Sequence, residues 1–585
     1  NGKLQEAANI AQQLVKADPN NIAAQCLLGQ VAMQAKDFRF AEARFQQVLK
    51  LEPTNALVHF DLAVVFMYQH NYQSAIAAMR QTLKYMPNHA SAIKELGNVL
   101  IHHGRSSEAV EVLRTGTEHY PKDGNYWLSL GNALGDIGRH EQAIDCYQRI
   151  ISLNPKVAIP RSNILMMANY QPQEIPEKIF NMSKDAAKFY PKTTVQSVAN
   201  DARRSHGKIR VGYVSADLRS ASVSYFLKPL IENHDKSNFE IFAYSNTQNK
   251  DSFTEELKSS FDHWHDIWGL PDTKACEQIK QDNIDILVDL SGHTSGNRLG
   301  IFALKPAQIQ ISWLGYPNTT GLDQIDYRFT DAIADPKTDD GTDNETHFKT
   351  KHENNTDQFY TETLLRLPHG FLCYQAPSNI PYQQSLPVTK NRKFTFGSFN
   401  NLNKIGPWTI KCWASILLGT KDSRIIIKSR QLVDEAVRIR YLKMFTDAGV
   451  DASRVELRGA VKGKDAHLKM YNEIDLALDS FPYNGTTTTC EALWMGVPTL
   501  TFTGGVHASR VSASIMTYTG LDEFICEDEQ SYLEKAVAYA TDYSTLIKLR
   551  KGLRERLSNS DLCNATQFTA QIEAAYIEML GNEYD

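Results

Sequence analysis

The segment Leu478–Val497, LDSFPYNGTTTTCEALWMGV, sets four threonines, Thr486 to Thr489, between a Pro-Tyr-Asn-Gly turn and a run of good helix formers. The first N–H groups of a helix have no partner within it, and threonine hydroxyls add further donors. With the positive end of the helix dipole they make a ready phosphate cradle. A plain N-cap needs one hydroxyl, not four. Glu491, one turn in, is placed to accept from a ribose diol. A second polar segment, Ser398-Phe-Asn-Asn-Leu-Asn-Lys404, follows an apolar run. A lone lysine there is ordinarily surface charge, but beside an anion cradle Lys404 would neutralise a departing diphosphate. Lys464 and His467, ahead of a helix ending near Asp475, form a polar cluster suited to flank a nucleotide. His293 and Asp217 lie at the ends of expected strands. His293 reads equally as an active-site group or a hydrogen-bonded structural histidine, and Asp217 chiefly as the tie of a strand-to-loop turn.

These groups need rigid elements to hold them. From Lys208 onward, short apolar runs bounded by turn residues read as buried strands: Lys208–Ser215, Phe239–Tyr244, Ile284–Leu290, Ile309–Leu314, Phe394–Phe399, Arg424–Ile427 and Thr499–Phe502. Helical periodicity lies between several of them, as at Thr273–Gln281 and Leu432–Ala448. Alternation of this kind predicts parallel sheets with helices on both faces, and ligands at the strands' carboxyl ends. The polar stretch Lys337–Asp357 carries six acidic residues against three basic and no periodicity, so it is expected to be a solvated, mobile loop, with a flap over the cleft as the alternative.

The first 155 residues differ. Prolines recur at Pro19, Pro53, Pro87, Pro121 and Pro155, and small residues keep the same 34-residue period at Gly29, Ala63, Gly97 and Gly131 and at Ala7, Ala41, Ala75, Ala109 and Ala143. Bulky residues follow most of the second series at Phe45, Met79, Leu113 and Tyr147. A unit of this length and pattern resembles the tetratricopeptide repeat (TPR), whose helix pairs stack into a superhelix with a concave groove. The expected use is to bind partner polypeptides; a spacer or a homodimer contact is the alternative. Residues 156–207 lose the period but stay amphipathic from Ile175 to Tyr190, as a helical adaptor would.

Composition narrows the field. A chain of 585 residues exceeds one core, so about three to four domains are expected. With 42% hydrophobic and 22% charged residues it is neither disordered throughout nor fibrous. A net charge of −5 provides no global field for nucleic acid or an anionic membrane, and no apolar run approaches the roughly 18–20 residues a membrane span requires. Eight cysteines without a CxxC pair suggest reduced structural thiols, no zinc site and a cytoplasmic setting. The chain opens on Asn1, which predicts a trimmed piece and leaves an upstream targeting segment open.

Five motifs occur in order: Val211-Gly-Tyr-Val-Ser-Ala-Asp217, Asp289-Leu-Ser-Gly-His-Thr294, Trp313-Leu-Gly-Tyr-Pro-Asn-Thr-Thr-Gly321, Ser398–Lys404 and Asn484–Glu491. With the repeat array in front, the chain resembles the nucleocytoplasmic protein O-GlcNAc transferase family, which includes SPINDLY-type O-fucosyltransferases. The resemblance implies a GT-B pair of Rossmann-like lobes and inverting, metal-independent sugar transfer to Ser/Thr hydroxyls, with no cofactor beyond the donor. It implies that Lys404 contacts the leaving diphosphate, that Asn401 stands where the O-GlcNAc enzymes place a glutamine, that Lys464 and His467 contact the nucleotide, and that Thr487 and Thr488 bind phosphate. Thr486 and Glu491 replace a histidine and an aspartate of the animal O-GlcNAc enzymes, a SPINDLY-like spelling that opens the choice between UDP-GlcNAc and GDP-fucose. At Ala221 the family carries an active-site histidine; an alanine accepts no proton. Either this is an engineered His→Ala replacement, which the enzyme-like neighbouring residues favour, or this member lacks much of the chemistry.

The expected layout is therefore a TPR α-superhelix over 1–155, an adaptor over 156–207, an N-terminal catalytic lobe over 208–390 and a C-terminal, nucleotide-sugar lobe over 391–585. The expected function is protein O-glycosyl transfer, most readily of GlcNAc from UDP-GlcNAc, to acceptors held by the array. GDP-fucose as donor is the nearer rival and a non-catalytic scaffold the more distant one.

Overall fold

The small residues of the 34-residue period stand where paired helices touch. In this computed structural model, which describes residues 2–171, 175–191, 207–337, 355–377 and 380–582, a β-carbon on Gly29 would lie 2.5 Å from the Phe45 ring, one on Gly97 2.6 Å from Leu113, and one on Gly131 2.6 Å from Tyr147. The period also carries the caps. Asn21, Asn55, His89 and Asp123, each two residues after a repeat proline, accept from the first turn of the helix they precede. Such a cap contributes about 1 kcal/mol, and the proline just ahead bars the previous helix from running on. The helix pairs so made, from Gly2–Ala17 to His140–Leu153, form one compact unit, Asn1–Pro155.

Lys156–Asp585 is the second compact unit. It begins with the helices Ile159–Ala168 and Pro176–Ala187. A seven-stranded sheet follows: β1 (Ile209–Ser215), β2 (Phe239–Ser245), β3 (His263–Asp266), β4 (Ile286–Asp289), β5 (Ile309–Ser312), β6 (Tyr327–Thr330) and β7 (Thr363–Arg366), in the order 3-2-1-4-5-6-7. The six strands of the second sheet, β8 (Phe394–Ser398), β9 (Ser423–Lys428), β10 (Val455–Arg458), β11 (Leu476–Leu478), β12 (Thr499–Phe502) and β13 (Ile525–Cys526), run 10-9-8-11-12-13. Every pairing is parallel. The central strands are buried along nearly their whole length, as sheets covered on both faces demand. Each sheet reverses direction beside its first strand, and ligands of such folds bind outside the carboxyl ends at that switch point.

Several buried contacts bind the lobes, three of them between the Asp331–Asp335 turn and the segment His507–Ser514. His507 Nδ1 lies 2.6 Å from Asp335 Oδ2, Ser514 Oγ donates to Asp331 Oδ2 at 2.6 Å, and Arg510 Nε donates to the Ile333 carbonyl at 2.7 Å. The last helix, Ala565–Asn582, falls in the sequence range expected for the second lobe but packs on the first. Its Tyr576 hydroxyl meets that of Tyr213 at 3.0 Å, and its Glu573 meets His234 at 2.9 Å. The polar stretch read as a loop, Lys337–Asp357, falls almost wholly outside the described residues, as does the end of the adaptor at 192–206. Among the described residues no helix is long and apolar enough to cross a membrane.

The array's helix contacts leave no room for a larger residue at Gly97. Gly97→Val should destabilise it by about 1–3 kcal/mol, read as a lower urea midpoint for helix loss followed by far-ultraviolet circular dichroism.

Candidate functional site

The carboxyl ends of β8 and β11 are neighbours at the second switch point, and each runs into one of the polar segments singled out above. Buried Asp479 joins them. Its Oδ1 accepts from Gly485 N at 2.7 Å, Ser480 N at 2.9 Å and Asn400 Nδ2 at 3.3 Å, while Oδ2 accepts from Thr501 Oγ1 at 2.8 Å. Burial raises the Asp479 carboxyl, and hydrogen bonds from Ser512, Gly485 and Thr501 and the charge of Lys404 oppose the rise. Gly485 lets the turn fold back on the helix it leads into, since a β-carbon there would lie 2.6 Å from Thr489 Oγ1 and 2.7 Å from Thr488 Oγ1.

That helix, Thr487–Trp494, divides its threonines. Thr486 occupies the cap position with no side-chain bond to the helix. Thr488 Oγ1 donates to Asn400 Oδ1 at 2.5 Å, and Thr489 Oγ1 meets Ser512 Oγ at 3.0 Å. Among the described residues the Thr487 hydroxyl is buried with no hydrogen-bond partner. An orphaned buried donor costs about 1–3 kcal/mol, which a ligand oxygen would recover.

Lys404 ends a single turn, Leu402–Lys404, opposite this helix start. Its Nζ donates to the Asn484 carbonyl at 2.7 Å and lies 3.9 Å from the centre of the Tyr483 ring. Loss of hydration lowers its pKa to about 8, against the pull of Asp479. The two lobes enclose a cavity of about 260 Å³ here. The first supplies Ser222, Val223, Phe226, Leu314 and Gly315, and the second Asn400, Asn401, Lys404, Tyr483 and Thr486 to Thr488. Ala221 is the residue before the helix Ser222–Asn233, with extended backbone (φ −143°, ψ 162°). Its chain neighbours Ser222 and Val223 reach the cavity wall.

Asn401, Lys404, Thr486, Thr487 and Thr488 thus share one cavity. Asn401 Oδ1 is taken by Gln431 Nε2 at 2.7 Å and by Asn403 N at 3.1 Å. Lys464 and His467 lie within the helix Lys464–Lys469 rather than ahead of it, because Gly463, at φ +87°, turns the chain directly into it. His467 Nδ1 accepts from Lys428 at 2.9 Å, which leaves Nε2–H to donate to the buried Glu491 carboxylate, also at 2.9 Å. Lys464 Nζ crosses to the first lobe, 3.5 Å from the centre of the Tyr225 ring.

Two candidates lie in networks of their own. His293 is buried, with Nδ1 2.9 Å from Ser162 Oγ and Nε2 2.9 Å from the Thr320 carbonyl. Burial lowers its pKa to about 4, so it is neutral, with both nitrogens engaged. Asp217 accepts from Arg219 Nη2 at 3.3 Å, and its backbone is tied to Ser215 and Ser224. Sequence reasoning passed over Asn400, Asp479, Tyr483 and Lys428. Asn400 stood in the quoted Ser398–Lys404 motif, and Asp479 directly follows a strand; nothing local marks Lys428.

Two doubly wound lobes meeting at a cleft, with an anion cradle at the second switch point, define the GT-B architecture of nucleotide-sugar transferases. The chain belongs to glycosyl transferase family 41, which it matches over residues 155–352 and 382–572; the tetratricopeptide repeat matches over 1–63, 66–134 and 124–157. A tomato (Solanum lycopersicum) protein, the probable UDP-N-acetylglucosamine–peptide N-acetylglucosaminyltransferase SPINDLY, is 37% identical over 434 residues, 73% of this chain and 45% of that protein. The Arabidopsis thaliana SEC protein, with the same probable activity in its name, is 29% identical over 383 residues, 64% of this chain and 37% of its own. The chain spans less than half the length of these curated relatives. The solved structure of a Thermobaculum terrenum O-GlcNAc transferase mutant aligns with a TM-score of 0.80 at 32% identity, over 90% of this chain and 97% of that one.

Two outcomes follow from the geometry. Lys404 titrates below the ordinary lysine value, and a bound anion would favour its protonated form. Inorganic diphosphate should therefore bind with proton uptake and lose affinity as pH rises through about 8, by up to about tenfold per unit. Lys404→Ala should remove that slope in a calorimetric titration. Thr487→Val, which deletes only an unpartnered hydroxyl, should leave the melting temperature unchanged or raised while weakening diphosphate binding by about 1.5–3 kcal/mol.

Proposed function

We propose that the chain transfers a sugar from a nucleotide diphosphate sugar to Ser or Thr hydroxyls of proteins, with inversion at the anomeric carbon. The observation that carries this reading is the Lys404 ammonium set opposite the unpartnered Thr487 hydroxyl and a helix start, all on one cavity. The acceptor oxygen attacks the anomeric carbon, the bond to the diphosphate breaks with its electron pair on the phosphate oxygen, and the acceptor proton passes to a base. Lys404, the Thr487 hydroxyl and the first N–H groups of Thr487–Trp494 meet the charge that develops on the leaving group. This is electrostatic preorganisation with no covalent intermediate and no metal. The methyl of Ala221 cannot take that proton, so the base is another group, a donor phosphate oxygen being one choice. The repeat array holds the acceptor polypeptide.

UDP-GlcNAc is the proposed donor, supported by the activities for which SPINDLY, SEC and the Thermobaculum protein are named. GDP-fucose is the second reading, favoured by Thr486 and Glu491, where the animal O-GlcNAc enzymes carry histidine and aspartate. Either nucleotide would lie along His467–Glu491, with Glu491 accepting from the ribose.

Thermal unfolding with UDP and with GDP separates these readings. The matching nucleotide at 100 times its dissociation constant should stabilise by about 2.7 kcal/mol; stabilisation by neither would favour a scaffold. Ala221→His should raise transfer from the matching sugar nucleotide by about 10²–10⁴-fold, measured by mass spectrometry of acceptor peptides. No gain with either donor would count against the enzyme reading.

A further inference from the structure

The first helix after the repeat array, Ile159–Ala168, ends on two residues that each reach one lobe. Asn169 reaches the first. Its Nδ2 donates to the Tyr316 hydroxyl at 3.0 Å, and its Oδ1 accepts from Asn318 Nδ2 at 3.3 Å. Tyr316 and Asn318 belong to the loop whose Leu314 and Gly315 line the cavity. That loop is tightly made. Leu314 is held at φ +76°, and a β-carbon on Gly315 would lie 2.1 Å from the Leu290 carbonyl. The buried Arg328 guanidinium donates to the Tyr316 carbonyl at 2.7 Å and the Asn318 carbonyl at 3.0 Å. Asn169 is thereby anchored to a rigid wall.

Tyr170 reaches the second lobe. Its ring stacks on that of Tyr483, with centres 5.5 Å apart and planes 23° from parallel. Tyr483 is the same ring that carries the Lys404 ammonium at 3.9 Å. We infer that Tyr170 is a positioning residue for Lys404, acting through Tyr483. The inference rests on the reading of Lys404 as the cation that meets the diphosphate.

The physical reason is that a cation held over a ring is placed only as well as the ring is. Tyr483 has two rotatable torsions, and stacking by a neighbour already fixed at Asn169 removes that freedom. The same ring keeps water from the amine, whose lost hydration gives it a pKa of about 8. Removing the Tyr170 ring opens space beside Tyr483, lets water reach the ammonium and returns its titration toward the ordinary lysine range. The adaptor thereby completes the cavity rather than merely preceding it.

The test uses the full chain with Tyr170→Ala, Tyr170→Leu and Tyr170→Phe. Lysine amines are pulse-labelled with acetic anhydride between about pH 7 and 11, and the Lys404 peptide is followed by mass spectrometry. The titration midpoint is expected to stay near the original value in Tyr170→Phe and to rise by about one unit in the other two, which corresponds to roughly a tenfold change in the protonation equilibrium. Leu keeps the apolar bulk, so the outcome stands even if Ala fails to fold. An unchanged midpoint in Leu, or a Phe variant shifted as far as Leu, overturns the inference. UDP and GDP affinities are measured in parallel and should fall in Leu and recover in Phe. If neither nucleotide binds the parent chain, the donor reading fails, while the labelling still decides the role of Tyr170.

Discussion

A lysine ammonium drawn out of water is costly unless fixed dipoles replace its hydration. Lys404 meets that condition with the Asn484 carbonyl, the Tyr483 ring and the nearby Asp479 carboxylate. Each comes from the segment after β11, while the lysine itself comes from the segment after β8. The arrangement therefore depends on those two strands being neighbours. Their adjacency is the switch in sheet order, so the topology of the lobe and the placement of its cation are one fact. Asp479 serves both, tying Gly485 and Asn400 together below the helix start while its charge opposes the loss of the lysine's proton.

The first lobe repeats the same topology, with its own switch point between β1 and β4. Its contribution is a wall: Val223 and Phe226 from the helix after Ala221, and Leu314 with Gly315 from the loop after β5. The two lobes are held by buried polar contacts, His507 with Asp335 and Ser514 with Asp331, and by a last helix that returns to the first lobe. Such a frame suits catalysis by preorganised charge, in which the groups must already stand where charge will develop. Ala221 itself offers only a methyl, which takes no proton.

Legibility in the sequence followed locality. The seven apolar runs read as strands all contain strands, because central parallel strands are covered on both faces and read as continuous apolar stretches. Of the six strands outside those runs, β3 (His263–Asp266), β6, β7, β10 and β13 lie toward the sheet edges, whereas β11 is central but only three residues long. At β3 the sequence is His-Trp-His-Asp, partly exposed and polar, and at β13 only two residues pair, so neither carries a periodic signal. In the array, the prolines and small residues showed the repeat, yet the caps at Asn21, Asn55, His89 and Asp123 share the same period under three different residue types.

At the cavity, the sequence by itself determined which two segments of the second lobe line it. Threonines at a helix start and a lysine after a strand are local patterns, and family 41 membership agrees with the order of the motifs. Only the tertiary structure decided what each side chain does there. It turned Thr489 toward Ser512 and Thr488 toward Asn400, left Thr487 unpartnered, paired His467 with both Lys428 and Glu491, and enclosed His293 between Ser162 and Thr320. The reason is that hydrogen bonding and desolvation depend on neighbours brought in from distant parts of the chain. Ser162 stands 131 residues from His293, and Asn400 stands 88 from Thr488; no local pattern encodes either meeting.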